Sequence, residues 1–139
     1  MRILAVDPGE KRIGIALSDP SGTIANPLTV LKHISRLLDA AAIAQLGRDN
    51  QAGLIVVGQA LDDDGQPTPE GRRAARLAEA IQAQTNLPVA LWDESGSTQA
   101  ARSARSVMGV PRRKGDKHLD DMAATYILQT YLDAHAGGA

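Results

Sequence analysis

Cysteine and phenylalanine are absent from the 139-residue chain, which has only one tryptophan and two tyrosines. Without cysteine, the chain cannot form a disulfide framework, a catalytic thiolate or a cysteine-built zinc site. So few aromatic rings also argue against a platform on which nucleic-acid bases would stack. Any contact with a nucleic acid is therefore expected to involve the phosphate backbone.

Long hydrophobic runs are missing as well. No apolar stretch approaches the roughly 18 residues that a membrane-spanning helix needs. The first residues, "MRILAVDPGEK", contain too short an apolar run for a secretory signal, and no small-residue cleavage site follows them. These features predict a cytoplasmic protein with no membrane partner, and the length predicts a single domain over residues 1–139.

The chain also lacks an excess of charge of either sign, because its net charge is −1. This value argues against binding nucleic acid by bulk attraction. The basic residues are unevenly placed, however, since six of the fifteen lie between residues 102 and 117, where Asp116 is the only acid. These six are Arg102, Arg105, Arg112, Arg113, Lys114 and Lys117.

Apolar runs bounded by turn residues predict five strands, at residues 2–7, 13–19, 24–31, 52–60 and 88–94. Short turns join the first three strands, which are therefore expected to pair antiparallel. Helices are predicted at residues 35–49, 68–86, 97–109 and 119–135, and their alternation with the later strands favours parallel pairing through crossovers. The predicted fold is α/β, with a mixed five-stranded sheet and helices on both faces.

Helical periodicity predicts which helix faces pack on the sheet. Ser35 and Thr68 are expected to cap the first two helices. The predicted apolar positions are Leu37, Leu38, Ala41, Ala42 and 44–46 in the first helix, Ala74, Leu77, Ala78 and Ile81 in the second, and Met122, Ala123, Tyr126, Ile127 and Tyr131 in the last.

Acidic residues stand at three element boundaries. Asp7 ends the first strand, Asp93 and Glu94 end the fifth, and Asp120 and Asp121 begin the last helix. In open α/β sheets, functional groups collect at the carboxyl ends of the strands. Asp7 and Glu94 would lie close together if their strands were neighbours, and Asp120, on the packed side of its helix, could join them.

Three convergent carboxylates would repel one another unless a divalent cation neutralised them. Oxygen ligands without histidine or cysteine suit Mg²⁺ or Mn²⁺. Two such ions about 3.5–4 Å apart can stabilise both the attacking and the leaving oxygen in phosphodiester hydrolysis. A plainer interpretation stays open for each residue alone, because Asp before Pro-Gly is often a turn residue and acids at helix starts interact well with the helix dipole.

Three segments resemble the YqgF/RuvX family over nearly the whole chain. "VDPGEKRIGIALSD" resembles the opening signature of the family, "LIVVGQALDDDG" its VVG-x-P-L-x-x-x-G stretch, and "HLDDMAATYILQTYLD" its I-D-x-x-A-A-x-x-I-L-Q-x-Y-L-D ending. The resemblance implies an RNase H-like fold and a metal-dependent nuclease that trims the 5′ end of pre-16S rRNA. Resolution of Holliday junctions is the older suggestion for such proteins.

By motif match, the resemblance implies catalytic and metal-ligand roles for Asp7, Glu94 and Asp120, with Mg²⁺ or Mn²⁺ as cofactor. It favours Asp120 over Asp121 because Leu119 stands where the family has Ile before its Asp.

The sequence departs from the family pattern at two positions. Ser95 replaces the arginine of the family's Asp-Glu-Arg, and a serine cannot make the bidentate phosphate contact that arginine makes. Ala60 replaces the proline of the VVG-x-P-L stretch. The first departure is expected to weaken the grip on substrate near the metals.

Two basic segments are predicted to bind nucleic acid. Lys11 and Arg12 follow Asp7 in the first turn and could hold a phosphate, although solvated turn charges are the plainer interpretation. The segment 110–118 precedes Asp120 and is predicted to be a loop that contacts the phosphate backbone. Its candidate residues are Arg112, Arg113, Lys114 and Lys117, and His118 could shuttle a proton or be an ordinary loop histidine.

Two rival functions remain open from the sequence. A strand–Asp–x–Gly–hairpin opening also occurs in actin-like ATPases and sugar kinases, but this chain has no second copy of the domain to form a nucleotide cleft. A nucleic-acid-binding module that cleaves weakly is the other rival, because the family arginine is absent. The expected partner is pre-rRNA, or single-stranded or branched DNA. A monomer or a homodimer is possible, although symmetric junction cleavage needs paired sites.

Overall fold

A computed structural model describes residues 1–93 and 117–136 of the chain. The elements, in order, are β1 (Arg2–Pro8), β2 (Arg12–Ser18), β3 (Ala25–Lys32), α1 (Arg36–Asp49), β4 (Ala52–Gln59), α2 (Pro69–Gln82), β5 (Val89–Asp93) and α3 (Lys117–His135). All five predicted strands and three of the four predicted helices are confirmed. The helix predicted at 97–109 lies outside the described residues.

The start of α3 differs from the prediction. Lys117 and His118 were expected in a loop, but the backbone is helical from Lys117 onward. Lysine is a good helix former and histidine is tolerated, so neither residue ends a helix. The strong helix breaker nearest to them in the sequence is Gly115.

The sheet order is β3-β2-β1-β4-β5. β1 pairs antiparallel with β2, and β2 with β3, whereas the β1–β4 and β4–β5 pairs are parallel. The predicted mixed sheet is confirmed, with β1 at its centre. β3 is an edge strand. This position suits Pro27, because proline has no N–H to donate to a strand ladder. The register of β2 and β3 shifts between Ile15 and Ala16, where Ala16 lies opposite Pro27.

Each face of the sheet packs against different helices, because alternate residues of a strand point to opposite faces. One face buries branched side chains against α1 and α2: Leu4, Val6, Ile13, Ile15, Ile55, Val57, Ile43, Leu77 and Ile81. The other face packs against α3. Its core consists mainly of smaller sheet residues together with three residues of α3: Ile3, Ala5, Ala16, Ala25 and Val56 from the sheet, and Ala124, Leu128 and Leu132 from α3. Helices therefore lie on both faces, as predicted.

The predicted buried face is confirmed for α2 and mostly wrong for α1, where Ala44 is the one predicted position that is buried. Thr68 caps α2 and all four predicted positions of that helix are buried. Ser35 caps α1 as predicted, but Leu37 and Leu38 are 69% and 57% exposed. The residues that α1 buries are Asp39, Ala40, Ile43, Ala44 and Gly47. Asp39 is hydrogen bonded to His33 and Ile34, and these bonds favour the orientation of α1 in which Asp39 and the residues on its side of the helix face the sheet. The apolar periodicity of the sequence does not reveal such bonds.

The predicted stripe of α3 is partly wrong. Ala123 and Ile127 are buried, as expected, whereas Met122, Tyr126 and Tyr131 are only partly buried. The buried positions also include Ala124, Leu128 and Leu132, which repeat every four residues. Small and aliphatic side chains fit against the alanine-rich face of the sheet, and the larger tyrosines lie at the margin. Within the described residues, no helix is long and apolar enough to span a membrane.

Candidate functional site

The carboxyl ends of three parallel strands meet at one edge of the sheet. Val6 lies opposite Val57 in the β1–β4 pair, and Gln59 lies opposite Asp93 in the β4–β5 pair. Asp7 comes one residue after Val6, so it stands about level with Trp92 of β5. Asp7 and the end of β5 therefore occupy the same edge.

The strands of Asp7 and Asp93 are not neighbours, contrary to the arrangement considered from the sequence. β4 lies between β1 and β5 in the sheet. Neighbouring strands are about 4.8 Å apart, so about 10 Å separates the ends of β1 and β5. β4 takes this place because its continuous run of buried residues, Ile55 to Gly58, suits an inner strand.

Asp7 lies on the face of the sheet that packs against α3. It follows Ile3 and Ala5 at alternate positions of β1, and it pairs with Gly14 of β2. Its side chain is partly buried. The strand ends directly after it at Pro8, so the carboxylate is held by the last residues of a rigid central strand.

The turn after Asp7 requires glycine. Gly9 donates its backbone N–H to the carbonyl of Arg12 at 2.9 Å. A Cβ on Gly9 would lie 2.5 Å from that same oxygen, which is shorter than real contacts allow. Gly9 therefore lets the chain reverse immediately after Asp7, and it places Lys11 and Arg12 at the same end of the sheet.

The other predicted ligands are only partly covered by the described residues. Glu94 lies outside them, as does Ser95. Asp120 lies in the first turns of α3, where the structure describes the backbone but not this side chain. Among residues 1–93 and 117–136, no three potential ligands form a group that could hold a metal ion. Of the three predicted ligands, only the side chain of Asp7 is therefore located.

The predicted phosphate contacts fall into two sets. Lys11 and Arg12 lie at the turn between β1 and β2, close in sequence to Asp7. Lys117 is the first residue of α3. Arg112, Arg113 and Lys114 lie outside the described residues.

A basic groove beside the first turn includes a residue that the sequence reasoning missed. We use the name basic groove for the depression of about 540 Å³ lined by Glu10, Lys11, Arg12, Val30, Lys32 and His33. Lys32 stands directly opposite Arg12 in the β2–β3 pair. Counting outward from the turn between β2 and β3 could have suggested this pairing, but the register shift at Pro27 makes such a count unreliable.

A second cavity, of about 420 Å³, lies on the opposite face and contains a buried carboxylate. Asp39, only 5% exposed, is hydrogen bonded to His33 Nδ1 and accepts the Ile34 backbone N–H at 3.0 Å. These contacts hold the end of β3 against the start of α1. In the sequence, Asp39 is an acid four residues after the cap Ser35. An acid near a helix start is expected to be exposed and to interact with the helix dipole, so its burial could not be predicted on that basis alone.

The carboxyl end of β4 carries the opposite charge. Asp62 accepts the backbone N–H groups of Asp64 and Gln66, each at 2.9 Å, and so shapes the loop that follows β4. Asp63 and Asp64 are exposed. The edge that contains Asp7 is therefore acidic on the β4 side and basic on the β2–β3 side.

Comparison with solved structures identifies the class of fold. RuvC of T. thermophilus in complex with a Holliday junction substrate matches 99% of this chain and 96% of its own, with a TM-score of 0.59 and 16% identity. The fowlpox virus Holliday junction resolvase matches 96% of this chain and 99% of its own, with a TM-score of 0.57 and 16% identity. The chain thus has the RNase H-like fold of these resolvases.

The sequence comparisons identify the family. The family model described as "RuvX: Holliday junction resolvase" matches residues 1–134, so the chain belongs to the RuvX family. A relative from Thermoanaerobacter pseudethanolicus is 38% identical over 135 residues, which cover 96% of this chain and 97% of the relative. Another, from Syntrophus aciditrophicus, is 42% identical over 134 residues, covering 96% and 89%. Both carry the name "Putative pre-16S rRNA nuclease".

Proposed function

We propose that this protein is a nuclease that hydrolyses phosphodiester bonds of nucleic acid, and that it processes the 5′ end of pre-16S rRNA. The names of its relatives and the description of its family both refer to nucleases that act on nucleic acid. The observation that carries the proposal is the position of Asp7. In a member of this family, a carboxylate ends the central strand at the edge where two further parallel strands end.

We propose that Asp7, Glu94 and Asp120 together hold Mg²⁺ or Mn²⁺. The Asp7 carboxylate fits this role, because it is a hard oxygen donor fixed by a rigid strand. Trp92, which precedes Glu94 by two residues in the sequence, packs on the α3 side of the sheet, the side on which Asp7 lies. When bound, a pair of ions would supply an activated water and would stabilise the leaving oxygen.

The path of α3 supports the inclusion of Asp120. Gln129 Oε1 accepts the backbone N–H of Ala25 at 3.0 Å, at the end of the sheet far from Asp7. Helix position 120 comes nine residues earlier, which is about 13 Å along the axis. About the same distance separates Ile3 and Asp7 along β1. Ala124, between the two helix positions, is fully buried under this face, which favours a helix that runs toward Asp7.

We further propose that the basic residues of this edge hold the substrate backbone. Lys11 and Arg12 lie at the turn directly after Asp7, which supports a phosphate contact beside that residue. Lys117 begins the helix that carries position 120, and the three basic residues that precede it in the sequence would extend the same contact: Arg112, Arg113 and Lys114. Such contacts position the strand without reading its sequence.

Replacement of Asp7 by Asn tests the site. Asp7→Asn keeps the size of the side chain but removes the negative charge, so Mn²⁺-dependent cleavage of single-stranded RNA is expected to fall to background. The same loss is expected for the native protein in EDTA. Asp49→Asn is the matched control, because Asp49 is an exposed acid at the far end of α1. Full cleavage by a folded Asp7→Asn protein would refute the assignment.

Resolution of Holliday junctions is the second candidate, because the family description names it. Cleavage of a pre-16S 5′ leader, a single-stranded DNA and a four-way DNA junction should be compared at equal concentrations, with the oligomeric state measured by ultracentrifugation. Preference for the RNA supports processing of pre-rRNA. Symmetric junction cleavage by a dimer would favour the second candidate, and binding without cleavage would favour a weakly active binding module.

A further inference from the structure

The basic groove brings two cations into direct opposition. Arg12 and Lys32 are paired across the antiparallel β2–β3 ladder. The Cβ atoms of such pairs are about 5 Å apart, and like charges at this distance destabilise a sheet. Among the described residues, the ion pairs join His33 to Asp39 and Arg73 to Glu10, so neither Arg12 nor Lys32 forms an ion pair with a carboxylate there. Structural needs alone do not explain this pair.

The two cations lie on the same face of the sheet as Asp7. Asp7 pairs with Gly14, and Gly14 pairs with Val30 in the next strand. Arg12 and Lys32 come two residues beyond Gly14 and Val30, which keeps them on that face. Two residues span about 7 Å along a strand. The basic groove therefore begins about 7 Å from the level of Asp7, measured along the β-strand direction, and it extends toward the edge strand β3.

The charge of the edge gives a direction to this arrangement. Three exposed aspartates, Asp62, Asp63 and Asp64, follow the carboxyl end of β4. A polyanion that reaches Asp7 is repelled on that side and attracted by Lys11, Arg12 and Lys32 on the other. The more favourable path for a nucleic-acid strand leads across β2 to the β3 edge.

The groove is also held in place by the backbone. The His33 N–H donates to the carbonyl of Lys11 at 2.9 Å and so ties the end of β3 to the first turn. The His33 ring is in turn hydrogen bonded to the buried Asp39. A groove whose backbone is fixed before binding loses less conformational entropy when a ligand binds.

We propose that the basic groove binds the phosphate backbone of the substrate strand next to the cleaved bond, and that Lys32 is one of its phosphate-contacting residues. The position of the groove relative to the cleaved bond rests on the proposed function. Binding of a single-stranded nucleic acid by Lys32 does not, because it can be measured without catalysis.

Binding of a fluorescently labelled oligouridylate, measured in EDTA over a salt titration, tests the proposal. Lys32→Gln is expected to weaken binding and to reduce the slope of log affinity against log salt by about 0.7, the value for one lost phosphate contact on a single strand. Arg76→Gln removes the same charge from the exposed face of α2 and should leave both quantities unchanged. An oligothymidylate should give the same differences in affinity and salt slope between the variants, because the proposed contact is with the phosphate backbone that RNA and DNA share.

The melting temperature at low salt gives a second measurement. Lys32→Gln should melt no lower than the native protein and is expected to melt higher, because the repulsion with Arg12 is removed. A purely structural role of Lys32 would lower it. Lys32→Arg keeps the charge and should restore the salt slope. If Lys32→Gln does not fold, Lys32→Thr replaces it, since a β-branched residue suits an edge strand.

An unchanged salt slope in folded Lys32→Gln, or equal losses in Lys32→Gln and Arg76→Gln, would overturn the proposal. Cleavage in Mn²⁺ is read separately on the same proteins. A binding difference without any cleavage by the native protein would refute the nuclease and leave the groove standing. Cleavage by the native protein with no binding difference would support the nuclease and refute the role of the groove.

Discussion

At the scale of single residues, two aspartates that look alike in the sequence have different roles. Asp7 and Asp19 both follow apolar runs, but Asp19 ends its strand by organising the next turn. Asp19 Oδ1 accepts the backbone N–H groups of Thr23 at 2.8 Å and Ile24 at 2.9 Å, and Oδ2 accepts the Ser21 hydroxyl. The bond from Ile24, followed by those from Ser21 and Thr23, holds the pKa of the Asp19 carboxyl far below its ordinary value.

This lowered pKa makes stability depend on pH. The folded state favours the ionised Asp19, so its contribution is present above the ordinary carboxyl pKa of 3.8 and is lost as the pH falls below that value. Asp19→Asn should therefore lower the melting temperature at neutral pH, and the gap to the native protein should close in acid. Melting curves recorded over a pH series measure this, and a gap that stays constant would contradict the assignment.

At the scale of elements, α2 is fixed by a close contact at its first turn. Thr68 accepts the Gly71 N–H at 3.1 Å and so caps the helix. A Cβ on Gly71 would lie 2.2 Å from the carbonyl oxygen of Ala60, which is part of the backbone after β4. Glycine is therefore required where helix α2 approaches the chain that leaves β4.

Gly71→Ala tests this contact, because the expected change in the free energy of unfolding is opposite in sign to that of an ordinary glycine-to-alanine substitution in a helix. In an exposed helix interior, glycine to alanine stabilises by about 1 kcal/mol. Here we expect a loss of at least about 1 kcal/mol, of the order of other overpacking changes. Urea unfolding measures it. Gly47→Ala in α1 is the comparison and should cost less, because its Cβ would meet the Leu87 side chain at 3.2 Å, and that side chain can move.

At the scale of the whole molecule, the two faces of the sheet differ in how they are covered. α1 and α2 share one face, whereas among the described helices α3 alone covers the other. Leu128 of α3 is completely buried, but Leu38 of α1 is 57% exposed. A buried leucine of α3 is therefore expected to contribute far more to the free energy of unfolding than an outer leucine of α1.

Two leucine substitutions compare these contributions. Leu128→Ala should lower the free energy of unfolding by about 2–5 kcal/mol, as buried leucines do. Leu38→Ala should change it by no more than about 0.5–1 kcal/mol, because most of that side chain is already in water. Equal losses in denaturant unfolding would show that Leu38 is buried in solution, for example by a second copy of the chain.

Much of the fold could be predicted because its signals are local. Strand lengths, turns and the caps Ser35 and Thr68 depend on neighbours in the sequence, and these predictions are confirmed. The place of β4 between β1 and β5 depends on pairing between distant segments, which periodicity does not specify. Asp39 was missed for a similar reason: its burial depends on His33 and Ile34, which lie on the chain before the helix.

For the candidate site, the sequence indicated Asp7 and the strand end that carries it, and the structure places that residue at the expected edge. Lys32 was missed because its proposed role depends on the register of β3 against β2. The roles of Glu94 and Asp120 stay predictions from the sequence motifs.

The position of α3 in the chain has a consequence for protein synthesis. The strands that it covers, β1, β2 and β3, leave the ribosome first, and α3 leaves it long after them. Until then the face built around Ile3, Ala5 and Ala16 is open to water, and the helix that carries position 120 has not docked. The core of this face therefore forms only after Leu132 of α3 has left the ribosome, long after the strands that α3 covers.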